Sequence, residues 1–177
     1  MNKNPNRGSL TIVGWGMRAG QCSPEAVNRI VEGDVVFMLV AGWLAEQLVR
    51  RLNPRARSLQ HFYRARPNRR AAYTAMVAEI LAAVRAGHNV CVVVYGHPGV
   101  FVTPTHAALR LARANGFDAE MLPAISAEDS LYADLGVDPG IGVQSYEARD
   151  CYLHARAIDA SAALILWQIA VTDDQSF

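Results

Sequence analysis

The longest buried element that the hydrophobic pattern predicts is a strand in the middle of the chain. Five apolar residues, VCVVV at 90–94, precede Tyr95 and the turn GHPG at 96–99. A short, unbroken apolar run bounded by glycine and proline is typical of a parallel strand that is buried on both faces. Because ligands bind at the carboxyl ends of strands in open α/β sheets, Tyr95 and the turn are candidate site residues. A sharp strand-to-helix turn without a ligand is the alternative.

The other periodic segments alternate between strands and helices. Strands are predicted at 9–13, 35–40, 119–122, 143–146 and 162–170, and helices at 23–32, 42–52, 69–86, 103–115, 126–135 and 148–158. This alternation predicts an α/β fold with a parallel-rich sheet and helices on both faces. We expect a flexible segment at 1–8, an N-terminal lobe at 9–135, and the start of a second lobe at 136–177.

The first strand and helix match a dinucleotide-binding unit only in part. Gly14, Gly16 and Gly20 have the spacing GxGxxxG rather than GxGxxG. A ribose-binding acid would stand at the end of the second strand, whereas Asp34 stands at its start. We therefore do not expect a nicotinamide cofactor.

Composition limits the classes of function. The 177 residues are 51% hydrophobic and 19% charged, with a formal net charge of +1, which indicates a globular protein and does not favour nucleic acid. No apolar stretch is long enough to span a membrane, and the N-terminus has no hydrophobic signal region, so we expect a cytoplasmic protein. Cys22, Cys91 and Cys151 show neither a CxxC pair nor zinc-site spacing, and no metal site is predicted.

A basic segment at 53–70 is predicted to be irregular. It carries arginines at positions 55, 57, 64, 66, 69 and 70 around the aromatic cluster HFY at 61–63. Arginines beside aromatic residues could contact nucleic acid, although no RNA-binding pattern accompanies them, and a solvated surface loop is the alternative. Arg69 and Tyr73 lie four residues apart at the start of a predicted helix and therefore share one face. A neighbouring guanidinium lowers the pKa of a phenol.

Several motifs, in this order, resemble the tetrapyrrole methylase superfamily. They are LTIVGWG at 10–16, EGDVVFML at 32–39, YGHPGVFV at 95–102, MLPAISAEDSLYADLGVDPG at 121–140 and LILWQIA at 164–170. The resemblance is strongest to the borosin-type peptide backbone α-N-methyltransferases, since general tetrapyrrole enzymes usually have GDP where this chain has GHP at 96–98. It implies an S-adenosylmethionine-dependent enzyme of two α/β lobes with the cofactor in the cleft between them.

The resemblance also implies roles for individual residues. Around the amide to be methylated it implies a constellation of Tyr63, Arg69, Tyr73 and Tyr95. Cofactor contacts carry over to Tyr95, His97, Val100, Phe101, Ser126, Ala127 and Gln168. We expect Tyr73 to act as the base, with Arg69 as its partner and with Tyr63 and Tyr95 as hydrogen-bond donors. For Ser126, a helix cap paired with Asp129 is the purely structural alternative.

The implied substrate is a ribosomal peptide supplied in trans, methylated on backbone amide nitrogens. The resemblance also implies a second lobe that continues beyond the strand at 162–170. We therefore expect an incomplete second lobe, completed in a homodimer or by a complementing chain. Two alternatives stay open. One is C-methylation of a tetrapyrrole precursor of the precorrin or uroporphyrinogen type, whose carboxylates suit the arginines at 55–70. The other is a non-catalytic subunit that dimerises or holds a peptide.

Overall fold

The computed structural model describes residues 8–169 and divides the chain into two compact units. The first unit extends to Ser130 and the second begins at Leu131. The lobe boundary that we place after residue 135 stays a prediction. The flexible segment predicted at 1–8 lies outside the described residues except for Gly8, as does Ala170, the last residue of a predicted strand.

The first unit is built on a sheet of five parallel strands. They are β1 (Ser9–Gly14), β2 (Val35–Leu39), β3 (Arg57–Ser58), β4 (Asn89–Val94) and β5 (Asp118–Met121), in the spatial order β3-β2-β4-β1-β5. β4 pairs with β1 along one edge and with β2 along the other. Each residue from Val90 to Val94 is at most 2% exposed. The predicted α/β class and the central, buried position of the VCVVV strand are confirmed.

Six helices of this region connect or follow the strands. They are α1 (Pro24–Glu32), α2 (Trp43–Leu52), α3 (His61–Ala65), α4 (Arg69–Arg85), α5 (Thr103–Ala114) and α6 (Ala127–Leu135). Side-chain caps start α1 and α4, among others: the Ser23 hydroxyl accepts from the Ala26 amide at 3.2 Å, and the Asn68 side chain accepts from the Ala71 amide at 2.8 Å. None of the helices at 8–169 is both long and apolar enough to cross a bilayer.

Side-chain alternation along the strands divides the core between two faces of the sheet. On one face, Leu10 and Ile12 of β1 pack with Met76 of α4 and Ala108 of α5. The opposite face belongs to a second cluster, in which β1 residue Val13 joins residues of α1 and α2. Helices therefore cover both faces of the sheet, as predicted.

The segment at 53–70, which we predicted to be irregular, contains β3 and α3. Leu59 is 1% exposed, and its amide donates to a carbonyl of β2 at 3.0 Å. Asn53 is also buried, and its side-chain amide donates to the carbonyls of Ile30 and Gly33, both at 2.9 Å. The ordering contacts are made by residues at least twenty positions apart. A local pattern therefore does not predict them.

The described part of the second unit contains two parallel strands and one short helix. A 3₁₀ turn at Pro139–Ile141 precedes β6 (Val143–Glu147), α7 (Ala148–Leu153) and β7 (Ala163–Trp167). The apolar run at 162–170 predicts that this strand is buried, which is wrong: Leu164 and Leu166 are 42% and 39% exposed. Among the described residues β7 pairs with β6 alone, so one of its edges has no neighbouring strand there.

The helix that we predicted at 148–158 ends at Leu153. Ala155 adopts a left-handed φ of 44°, and the Arg156 amide donates back to the Cys151 carbonyl at 3.1 Å. This closure satisfies a terminal carbonyl and turns the chain away from the helix axis. The Arg156 guanidinium also donates to the Asp150 carboxylate at 2.9 Å, which stabilises the closed end.

Asn53→Ala is expected to lower the free energy of unfolding by about 2 kcal/mol, because the buried Ile30 carbonyl loses its donor. The Gly33 carbonyl keeps a second donor in Arg55, at 3.3 Å, which limits the loss. Urea denaturation measures the difference. Asn28→Ala, at an exposed asparagine within α1, is the matched control and should cost less than about 0.5 kcal/mol. Equal losses in the two variants would contradict the anchoring role of Asn53.

Candidate functional site

The candidate site begins where β4 leaves the sheet. The Tyr95 amide still donates to the Leu39 carbonyl of β2 at 3.1 Å. Gly96 exchanges two hydrogen bonds with Gly16, at 3.0 and 3.3 Å, so the chain segment after β4 is tied to the segment after β1. The Tyr95 side chain is 41% exposed and makes no hydrogen bond or ring contact within residues 8–169. Its phenol is therefore available to a ligand at the carboxyl edge of the sheet.

The segment at 95–102, here called the β4–α5 loop, is held in place by hydrogen bonds from side chains in the first turn of α5. The Thr105 hydroxyl is buried and lies 2.6 Å from the carbonyl oxygens of both Pro98 and Val102, which share its single proton. His106 donates from Nε2 to the Gly99 carbonyl at 2.8 Å. We did not predict either residue. A threonine shortly after the helix start is the only sequence signal for this contact, and it is a weak one.

His97 stabilises the same loop by a hydrogen bond between two of the loop's own residues. Its Nδ1 accepts a hydrogen bond from the Gly99 amide at 2.9 Å, which assigns the proton of the neutral ring to Nε2. The Val100 amide donates to the His97 carbonyl at 3.1 Å, so the backbone turns tightly here. Phe101 follows with a left-handed φ of 55° and a side chain that is 44% exposed. Such backbone strain costs about 1–3 kcal/mol and is concentrated at functional sites in proteins.

Two glycines show how closely the backbone is packed around this loop. A Cβ on Gly14 would collide with the Gly96 carbonyl oxygen and with the Ala124 side chain, so the three segments are in direct contact. Gly96 itself has a φ of 68°, and a Cβ there would meet only the sulfur of Met17, at 3.5 Å. The backbone at Gly96 is therefore open on one side, where another molecule can approach it.

Tyr63 and Tyr73 form a second part of the candidate site. Their ring centroids lie 6.1 Å apart in an edge-to-face arrangement, with Tyr63 on α3 and Tyr73 on α4. The pKa of Tyr63 is raised to about 12, mainly by partial burial and next by the charge and the hydrogen bond of Tyr73. The Arg69 guanidinium acts in the opposite direction and lowers the pKa. Tyr63 therefore holds its proton more tightly than an ordinary tyrosine. Arg69 acts electrostatically on Tyr63, a pairing that we did not predict.

Ser126 caps α6, as the structural alternative for this residue proposed. Its amide and its hydroxyl both donate to the Asp129 carboxylate at 2.6 Å, and the Asp129 amide donates to the Ser126 oxygen at 3.2 Å. These bonds hold the pKa of Asp129 below its usual range. Ala127 is the first residue of α6 and is half-buried. A ligand contact at Ser126 would compete with this cap for the hydroxyl.

Gln168 lies in the second unit, directly after β7. It is exposed and has a left-handed φ of 58°. Its role as a cofactor contact stays a prediction, as do the roles of the site residues in the first unit.

The sequence profile described as Tetrapyrrole (Corrin/Porphyrin) Methylases matches residues 9–173. The chain belongs to this family. Solved structures with the same fold include a uroporphyrin-III-C-methyltransferase from Thermus thermophilus, with a TM-score of 0.62 and 20% identity, covering 90% of this chain and 68% of that one. A conserved hypothetical protein from Aeropyrum pernix K1 has a TM-score of 0.65 and 21% identity, covering 83% and 54% of the two chains.

Curated relatives with higher identity are fungal. A methyltransferase/ribosomally synthesized type I borosin cyclic peptide precursor from Coprinopsis marcescibilis is 43% identical over 98% of this chain and 45% of its own length. The methyltransferase/ribosomally synthesized cyclic peptide omphalotin A precursor from Omphalotus olearius is 40% identical over 92% and 39%. The chain thus spans less than half the length of these two relatives.

Thr105→Val is expected to loosen the β4–α5 loop, because the buried hydroxyl that donates to two loop carbonyls is lost while the side-chain volume is kept. Hydrogen–deuterium exchange should show amides of the loop exchanging several-fold faster, whereas those of β1 and β4 keep their protection.

Thr103→Val is the matched control, since Thr103 is exposed on the same helical turn. Unchanged loop protection in Thr105→Val, or an equal change in both variants, would show that the hydroxyl does not anchor the loop.

Proposed function

We propose that this chain is the methyltransferase part of a borosin-type enzyme that methylates backbone amide nitrogens of a peptide. The observation that carries the proposal is the Tyr63–Tyr73 pair in the same unit as an anchored, glycine-containing loop at the carboxyl edge of the sheet. The names of the fungal relatives, which join a methyltransferase to a peptide precursor, support the peptide as substrate.

The cofactor under this proposal is S-adenosylmethionine, bound at the β4–α5 loop. The open side of Gly96, the accessible phenol of Tyr95 and the exposed ring of Phe101 fit a flat, polar ligand at this edge. S-adenosylmethionine supplies a methyl group that its sulfonium has already activated. His97 and Thr105 hold the loop backbone in place, so the loop loses little conformational entropy on binding. Val100, Ser126, Ala127 and Gln168 complete the proposed contacts.

The chain must make the acceptor amide nucleophilic. An amide nitrogen is a poor nucleophile because its lone pair is delocalised into the carbonyl. A base must therefore accept the amide proton while donors stabilise negative charge on the carbonyl oxygen. The raised pKa of Tyr63 makes this residue a poor base but a suitable hydrogen-bond donor, and the ring of Tyr73 lies beside it. We therefore assign Tyr73 as the base, Arg69 as its partner four residues earlier on the same helix, and Tyr63 and Tyr95 as donors.

The peptide would be supplied in trans, and assembly as a homodimer or with a complementing chain stays a prediction. C-methylation of a tetrapyrrole precursor is the second candidate, and the family description supports it. A pyrrole carbon is already electron-rich and needs no phenolate base, so the Tyr63–Tyr73 pair favours the amide substrate. A non-catalytic subunit would need neither the pair nor an open loop.

Gly96→Ala is expected to weaken S-adenosylmethionine binding at least tenfold, that is, by about 1.4 kcal/mol or more, because the added Cβ occupies the open side of the loop. Isothermal titration calorimetry measures the dissociation constant. Gly136→Ala is a control for backbone strain, since Gly136 has a nearly equal φ of 66° and open space around its Cβ position. If Gly96→Ala binds S-adenosylmethionine with the affinity of the parent protein, the cofactor binds elsewhere.

Tyr73→Phe is expected to lower the methylation rate of a candidate peptide about 10²–10⁴-fold, because the base is lost while the ring is kept. Mass spectrometry counts the methyl groups on backbone amides, and calorimetry should show nearly unchanged cofactor affinity. Tyr152→Phe, at a tyrosine that is 84% exposed, is the matched control. Full methylation by Tyr73→Phe at the parent rate would reduce Tyr73 to a packing residue. Methyl groups on a tetrapyrrole and never on a peptide would favour the second candidate.

A further inference from the structure

Charge is strongly segregated along this chain, although its net charge is only +1. Residues 1–116 carry fifteen Lys and Arg against five Asp and Glu, whereas residues 117–177 carry two against eleven. The most basic stretch, at 47–78, contains eight arginines and no carboxylate side chain. The net charge is therefore close to zero because a basic part and an acidic part of the chain nearly cancel.

Three of these arginines form what we call the arginine surface: Arg64 on α3, Arg66 in the following turn and Arg70 at the start of α4. All three are exposed. The Arg66 guanidinium lies 5.8 Å from the ring centroid of Phe62, a contact that leaves its N–H donors available. Within residues 8–169, the side chains of Arg64 and Arg70 make no ion pair and donate no hydrogen bond.

Four carboxylates of the first unit are engaged elsewhere. Glu25 and Glu120 approach Arg29 at 3.9 and 3.1 Å, Asp34 accepts from the Asn89 amide, and Asp129 caps α6. They do not neutralise the arginine surface.

Stability of the fold does not explain this placement. Arg70 lies in the first turn of a 17-residue helix, where the helix dipole disfavours a cation. Like charges at neighbouring positions also repel each other, and carboxylates from another molecule would relieve that repulsion. The arginine surface therefore has the properties of a binding surface for a partner that carries several carboxylates.

The position of the arginine surface relates it to the proposed acceptor site. Arg64 directly follows Tyr63, whose ring lies 6.1 Å from that of Tyr73. An extended peptide advances about 3.3 Å per residue, so a few residues beyond the stretch at the two tyrosines give a bound peptide the reach to meet the arginines.

We infer that the arginine surface binds an acidic segment of the peptide substrate, adjacent in sequence to the stretch that is methylated. The inference rests on the proposed function for the identity of the partner as a peptide. A long polyanion such as RNA fits less well, because the net charge of only +1 does not favour nucleic acid. A short acidic segment can contact the arginine surface alone.

Fluorescence anisotropy on the full chain tests the inference with a labelled peptide that has an apolar half and a glutamate-rich half. The comparison peptide has glutamine in place of each glutamate. At low ionic strength we expect the glutamate peptide to bind at least about tenfold more tightly, and the advantage should largely vanish at about 0.5 M salt. Arg64→Glu/Arg70→Glu should abolish the advantage. Arg85→Glu/Arg110→Glu makes the same change in net charge at exposed positions outside the arginine surface. This control variant should keep the tighter binding of the glutamate peptide.

Three results would overturn the inference: equal binding of the two peptides by the parent, an equal loss in both double variants, or tighter binding of a single-stranded RNA that Arg64→Glu/Arg70→Glu weakens. Circular dichroism checks that both variants are folded. A methylation assay separates this inference from the proposed function. If the glutamate peptide binds as expected but neither peptide is methylated, the proposed function is wrong and the inference about the arginine surface is supported. If both peptides are methylated with the same KM, the inference about the arginine surface is wrong and the proposed function is supported.

Discussion

The pairing of β4 with a parallel strand on each edge is the constraint on which the rest of the structure depends. Both edges of β4 are hydrogen-bonded, and both faces are covered by helices. Backbone and side chains are thus inaccessible from Val90 to Val94. Past these residues, at the carboxyl end, Tyr95 is exposed and Gly96 is open on one side. The candidate site lies there because ligands of open α/β sheets bind at the carboxyl ends of strands.

The loop after β4 illustrates how a strained backbone is held. A left-handed φ at Phe101 is unfavourable for a residue with a side chain. Thr105 and His106 bind the loop carbonyls from α5, while the imidazole of His97 binds an amide within the loop. These bonds compensate for the strain and fix the loop before any ligand arrives. Preorganisation of this kind lowers the entropic cost of binding.

Two tyrosines in one small region are made unequal by their surroundings. Burial, and next the charge and the hydrogen bond of Tyr73, raise the pKa of Tyr63 to about 12. Tyr63 is therefore a poor base, and under the proposed function its neighbour Tyr73 takes that role. Residues of one type can differ in this way because the pKa of a phenol depends on its surroundings as well as on residue identity.

The amino-acid sequence by itself determined the α/β class, the order of most elements and the position of Tyr95 at a strand end. Burial of a strand on both faces requires an unbroken apolar run, and a helix cap requires a particular side chain at a particular position. Local sequence patterns therefore predict these features. The cap of α6 by Ser126 and Asp129 was predictable for the same reason.

Only the tertiary structure decided which groups fasten these elements together. The order in the segment at 53–70 depends on Asn53 reaching carbonyls at the end of α1, and the exposure of Leu164 and Leu166 depends on what packs against that face of β7. Nothing in the local pattern shows which carbonyls the Thr105 hydroxyl meets or that the rings of Tyr63 and Tyr73 meet edge to face. Hydrogen bonds depend on distances and angles between segments, and those exist only once the chain has folded.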